Sequence, residues 1–184
     1  DLADPSRVIS AGERHALPLL CVPRTLLRYR RPFDRPYAVQ GIMGCVLLVT
    51  RACYEAVGGF PTDIEVYYED VDFCLGARAA GFGAVIEPRA VVAHDGIRGF
   101  AAGLTPWAAF LKARNPWLVL RRHGSFATWL VFVPTYAAMV GTSAALYALR
   151  GQGAIVRALG RGVLAGLGAA VGRTPVSVGP PRRG

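Results

Sequence analysis

Residues 44–51 read Gly44-Cys45-Val46-Leu47-Leu48-Val49-Thr50-Arg51. A near-continuous apolar run of this length, entered through Gly41 and Gly44, predicts a strand over Cys45–Thr50 that is buried on both faces. The pattern then changes. Arg51–Val57 predicts a short helix stopped by Gly58 and Gly59. A loop from Phe60 to Tyr68 leads to a second helix over Glu69–Ala80, ended by Gly81, in which Val71, Cys74 and Leu75 follow i, i+3, i+4 spacing and so share one buried face. Short strands are predicted near Ala84–Ile86 and Ala90–Ala93. Strands interleaved with helices point to an α/β layer.

Upstream of this stretch, Pro5, Pro18, Pro23, Pro32 and Pro36 break residues 1–40 into irregular chain, with one short strand expected at Leu19–Val22. Downstream, residues 97–123 read as a loop and then a helix closing on Arg121-Arg122-His123. No charged residue occurs from Gly124 to Leu149. About 20 apolar residues suffice to cross a bilayer as a helix, although Pro134, Thr135, Thr142 and Ser143 dilute this stretch. Ala154–Val171 is apolar with Arg157 and Arg161 one turn apart, the pattern of an interfacial amphipathic helix, weakened by its glycines. Val176–Gly184 is a basic, proline-containing tail expected to be disordered.

Only 18% of the 184 residues are charged and 53% are hydrophobic. The charged share falls below the roughly 25% usual for a soluble domain, which points to packing against lipid. The net charge is +9, and Lys112 is the only lysine. The arginines flank apolar stretches, with no nucleic-acid-binding motif beside them, so anionic headgroups suit them better than a duplex. Arg121 and Arg122 on one side, and Arg150, Arg157 and Arg161 on the other, give conflicting advice on the sidedness of a span over 124–149. Cys21, Cys45, Cys53 and Cys74 form no C-x-x-C pair and read as small buried hydrophobes in a reducing compartment. The chain opens at Asp1 without a methionine and reads as a fragment.

The chemistry-bearing residues lie between positions 58 and 94. Gly58-Gly59-Phe60 is followed by Tyr68-Glu69-Asp70-Val71-Asp72 and then by His94. Glu69, Asp70 and Asp72 crowd three carboxylates at a helix N-terminus, where the helix dipole favours negative charge. An ionised carboxylate at a cleft edge can take a proton from a sugar hydroxyl as general base. The plain alternative, capping and dipole compensation, is the commoner outcome for such a pattern. His94 closes an apolar segment, where ligand sites gather in open α/β sheets. It can ligate a divalent metal or simply sit satisfied at a strand–loop junction.

Taken together, these motifs resemble the family-2 glycosyltransferases of GT-A fold, particularly rhamnosyltransferase-like bacterial members. The residues carrying the likeness are Gly44–Arg51, Glu55-Ala56-Val57-Gly58-Gly59-Phe60, Tyr67-Tyr68-Glu69-Asp70-Val71-Asp72-Phe73-Cys74, Ala80-Gly81-Phe82, Glu87–His94 and Arg114-Asn115. The likeness runs over about residues 40–122. It implies a C-terminal part of a GT-A (nucleotide-diphospho-sugar transferase) fold over 1–123; the composition read above adds an apolar helical membrane-associated segment over 124–172 and a basic tail over 173–184. It also implies a single in-line displacement with inversion, moving a sugar from a nucleotide-diphosphate donor to a glycan or lipid-linked acceptor in cell-envelope polysaccharide or glycolipid synthesis, at the cytoplasmic face of the membrane.

On this likeness Asp70 is the catalytic base. Glu69, Asp72 and Gly44 lie at the acceptor, Arg114 approaches phosphate, and His94 helps hold a divalent metal, Mg or Mn, on the donor diphosphate. Gly44 also reads as a turn glycine, and Arg114 as a surface helix arginine. The sequence departs from the family at Pro61-Thr62 (usually Asp-Glu), at Ile64-Glu65 (usually a large apolar pair) and at Gly76 (usually arginine). The first strand–helix units and the Asp-x-Asp metal motif are expected upstream. A non-catalytic module that binds glycan or lipid-linked sugar is the rival reading, and a small membrane-anchored protein with a capped helix is a second.

Overall fold

The computed structural model describes residues 8, 10–14, 34–94 and 104–172. The strand expected at Leu19–Val22 and the tail after 172 lie outside them. The described chain is mostly helical, with one two-stranded sheet and two long apolar helices. It divides into two compact units. One gathers residues 1–16, 22–61 and 69–103. The other gathers 17–21, 62–68 and 104–184.

In the first unit, β1 (Tyr37–Val39) pairs antiparallel with β2 (Ala84–Ile86), with Tyr37 opposite Ile86 and Val39 opposite Ala84. Glu13 and Gly41 form an isolated antiparallel bridge outside these two strands. Helix α1 (Arg51–Val57) forms where expected. The Thr50 side chain caps its N-terminus by accepting from Cys53 N, and Gly58 in the left-handed region (φ 83°) ends it. Helix α2 (Glu69–Ala79) follows and buries a continuous run from Asp70 to Leu75. The rings of Phe60 and Phe73 stack at 4.6 Å, and Tyr54 leans on both, so α1, its following turn and α2 share one small core. Aromatic pairs of this kind contribute about 0.5–1.5 kcal/mol beyond their burial.

Two expected strands do not form. Cys45–Thr50 is a turn at Cys45 and a bend at Val46, and residues 47–50 belong to no strand. Leu48 is 98% exposed and Val46 is also exposed, the opposite of burial on both faces. An apolar run becomes a strand only when a neighbouring strand takes its backbone N–H and C=O groups, and among the described residues no strand does. Ala90–Ala93 is likewise unpaired coil, with Val91 and Val92 exposed. The α/β layering drawn from these segments therefore reduces to the β1–β2 pair.

The second unit is helical. Helix α3 (Pro106–His123) starts at the Thr105 cap, with proline at its first position, and ends in Arg121-Arg122-His123, as the dipole favours. Helix α4 (Phe126–Leu149) opens with a capping box in which Ser125 and Thr128 each accept from the other's backbone N–H. Helix α5 spans Gly153–Ala170. Sequence placed α3 in a first segment, apart from 124–172; in space it packs with α4 and α5, and its residues Ala108–Leu111 and Ala113–Leu120 are buried.

Helix α4 runs antiparallel along α3. The Trp117 ring meets Phe132 and Tyr136 edge-on at 5.2 and 4.9 Å, Tyr136 Oη donates to Ala113 O at 2.6 Å, and Val140, Ala144 and Tyr147 pack against a cluster that α3 and the third helix of the unit build from Ala109, Phe110, Leu111, Ala113, Ile155, Ala158 and Leu159. Helix α5 runs parallel to α3 at glycine-limited distance. A Cβ on Gly162 would sit 2.4 Å from Phe110 O, and one on Gly166 would sit 2.4 Å from the Trp117 ring. Gly162 and Gly166, which weaken the helix in isolation, are what let it approach α3.

Candidate functional site

Helix α2 begins with Glu69, Asp70 and Asp72 in its first turn. The first compact unit brings Gly44 onto them. Gly44 N donates to Asp70 Oδ2 at 2.9 Å, and Val71 N donates to Asp70 Oδ1 at 2.8 Å. Asp70 is 4% exposed, and its carboxylate is met by one backbone N–H in the first turn of α2 and by a second from the distant turn at Gly44. A side chain at Gly44 would crowd this arrangement, since its Cβ would lie 3.1 Å from Asp70 Cβ and 3.3 Å from Glu69 Oε1. Gly44, Glu69 and Asp70 thus form one cluster. Asp72 is buried farther along the same turn, while Glu69 is half-buried.

Cys45 follows Gly44 in the chain and feels the same charge. Packing around the thiol pushes its pKa above the ordinary value, and the Asp70 carboxylate adds to the shift. The residue is nonetheless open to solvent. A thiol held protonated is a poor nucleophile at neutral pH, so this cluster offers a carboxylate rather than a sulfur for chemistry.

His94 is half-buried at the end of the coil that follows β2. Among the described residues no group of three His, Cys, Asp or Glu side chains is gathered closely enough to hold a metal ion. The described residues therefore do not by themselves complete a metal site around His94.

Arg114 belongs to the second unit. It is buried, with Nε donating to Asn115 Oδ1 and Nη2 to Asp63 O, both at 2.8 Å. Burial lowers its pKa, and Asp63 and Glu65 pull it back up. Asn115, fully buried, donates through Nδ2 to Val66 O at 2.9 Å and Tyr67 O at 2.8 Å. Arg114 and Asn115 together hold the 62–68 loop, in which Tyr67 and Tyr68 take positive φ of 62° and 75°. Such angles are costly for bulky residues and persist where surrounding contacts over-determine them. Sequence reading singled out Arg114 but missed this work of Asn115. A buried Asn beside a buried Arg on an otherwise apolar helix face was the available signal.

An apolar groove lined by Ile42, Leu47, Cys53, Phe73, Cys74 and Phe82 opens elsewhere in the first unit. Neither Glu69 nor Asp70 lines it.

No family model, no characterised protein and no solved structure matches this chain.

Proposed function

We propose that this chain is the acceptor-side part of an inverting family-2 glycosyltransferase of GT-A fold, working at the cytoplasmic face of a membrane. Its donor would be a nucleotide-diphospho-sugar and its acceptor a glycan or a lipid-linked glycan of the cell envelope. The observation that carries this reading is the Gly44–Asp70 contact. Two motifs 26 positions apart meet, and they are the two that the family likeness assigns to base and acceptor. Asp70 would take the acceptor hydroxyl proton as that oxygen attacks the anomeric carbon and the nucleoside diphosphate leaves. Glu69 and Asp72 would orient the acceptor hydroxyls, and the missing side chain at Gly44 would leave room for them. Arg114 would lie toward phosphate only if it let go of Asp63 and Asn115. In this reading His94 would be one ligand of a divalent metal, the other ligands lying outside the described residues, and such an ion would supply positive charge at the donor diphosphate.

A second reading has an observation in its favour. Both oxygens of Asp70 already accept backbone N–H groups, from Gly44 and Val71, so the carboxylate in the first turn of α2 has a purely structural use. In that case the chain is a module that binds glycan or lipid-linked sugar without transferring it. The deciding experiment expresses the protein from its own gene and incubates it with radiolabelled UDP-, GDP- and dTDP-sugars, membranes of the source cells and Mg or Mn. Label appearing in the lipid or polymer fraction supports the transferase. Binding of lipid-linked sugar with no label transferred from any donor supports the module.

A further inference from the structure

Helix α5 has two distinct sides. Ile155, Ala158, Leu159, Gly162, Gly166 and Ala169 are buried, and the two glycines bring that side onto α3. The opposite side is open. Leu164 and Val171, the residue directly after the helix, are 72% and 80% exposed, and Leu167 is exposed as well. Their spacing of i, i+3 and i+7 puts the three on one face. Arg157 and Arg161 are also exposed. They lie one turn apart on the flank of that face, Arg157 seven residues before Leu164. The outer side of α5 is therefore an apolar stripe with an arginine pair beside it.

Charge decides what this side can meet. From Gly96 to Gly184 the sequence holds eleven Lys and Arg residues and no Asp or Glu. A second copy of the same face would set arginine against arginine. A nucleic-acid backbone would pair with the arginines and leave Leu164, Leu167 and Val171 in water. An anionic leaflet takes both features at once: the apolar stripe enters among the acyl chains while the long arginine side chains reach the phosphates. Helix α5 is long and apolar enough to cross a membrane. It is, however, fastened along α3 from the close approach of Gly162 to Phe110 to the hydrogen bond that Arg121 donates to Ala169 O. Crossing would draw Lys112 and Arg114 of α3 to acyl depth together with Arg157 and Arg161, which is strongly unfavourable.

We propose that the outer side of α5 lies in the plane of an anionic lipid leaflet, with Leu164, Leu167 and Val171 among the upper acyl chains and Arg157 and Arg161 at lipid phosphates. This rests on the membrane-face reading above and is independent of sugar transfer.

The test mixes the purified full chain with sedimentable phosphatidylcholine vesicles, with or without phosphatidylglycerol. The parent should sediment with the phosphatidylglycerol vesicles. Arg157→Gln with Arg161→Gln should weaken that binding by about 30-fold, whereas lysine at both positions should keep it within a few-fold. Leu164→Asn with Leu167→Asn should weaken it by about tenfold at unchanged charge. Binding unchanged by either pair overturns the proposal and leaves the membrane-face reading standing on some other contact. Equal binding to uncharged vesicles overturns the headgroup claim. A parent that binds neither vesicle overturns both readings, whether it proves to be a monomer, a dimer or a binder of duplex DNA offered in place of lipid. Insertion has its own readout in Leu164→Trp. Brominated acyl chains should quench its fluorescence beyond that of the parent, and no added quenching would overturn the placement of the apolar stripe.

Discussion

The Gly44 backbone N–H donates to Asp70 Oδ2 at 2.9 Å. It thereby ties the entrance of an unpaired apolar segment to the first turn of α2, and a Cβ at Gly44 would press on both Asp70 and Glu69. Gly44→Ala should therefore be tolerated with a small loss. Gly44→Val should destabilise the chain by about 1–3 kcal/mol through overpacking, measured by urea denaturation. In a transfer assay the valine variant should lose more activity than the alanine variant.

The same carboxylate should be visible through its neighbour. Asp70 helps hold the Cys45 thiol above its ordinary pKa. Removing the negative charge must lower that pKa, so Asp70→Asn should bring the onset of Cys45 alkylation to lower pH. At pH 8 iodoacetamide should react faster with Cys45 in the variant than in the parent, followed by peptide mass spectrometry. Packing around the thiol persists in the variant, so a residual upward shift should remain.

Asn115 donates to two carbonyls at once, those of Val66 and Tyr67. Asn115→Ala leaves both buried acceptors and the Arg114 Nε donor short of a partner. It should cost about 2–4 kcal/mol, measured by denaturant unfolding, and should raise hydrogen exchange across 62–68 specifically. Asn115→Asp keeps the shape but loses the donor, and should not rescue.

The glycines of α5 separate into two classes. Gly162→Ala forces a Cβ against Phe110 O, whereas Gly160 has open space around its Cβ position. Gly162→Ala should destabilise by about 2 kcal/mol or more. Gly160→Ala should stabilise by about 0.5–1 kcal/mol through helix propensity. Thermal unfolding of the two variants side by side checks the sign of each.

Much of the helical architecture was legible in the sequence. Arg51–Val57 is read from its stop at Gly58 and Gly59, Glu69–Ala80 from its apolar spacing and the end of α3 from Arg121-Arg122-His123; such local signals act within one turn and need no partner. Cys45–Thr50 and Ala90–Ala93 were misread because a strand is a relation between two segments. Composition shows what could be buried, but not whether a neighbour supplies the ladder. The site divides the same way. The acidic first turn of α2 is local and was found. The approach of Gly44 to Asp70 and the clamp of Asn115 on the 62–68 loop span 26 and 48–49 positions, and no spacing rule reaches that far.

The central claim, Asp70 as the base of a glycosyltransferase, is tested most directly by comparing sugar transfer by the parent and by Asp70→Asn, both expressed from the native gene and checked for equal unfolding midpoints. The account predicts transfer lowered by about 10²–10⁴-fold with donor binding unchanged. Transfer retained within a few-fold of the parent would contradict it and leave Asp70 as a structural carboxylate that ties Gly44 to the first turn of α2.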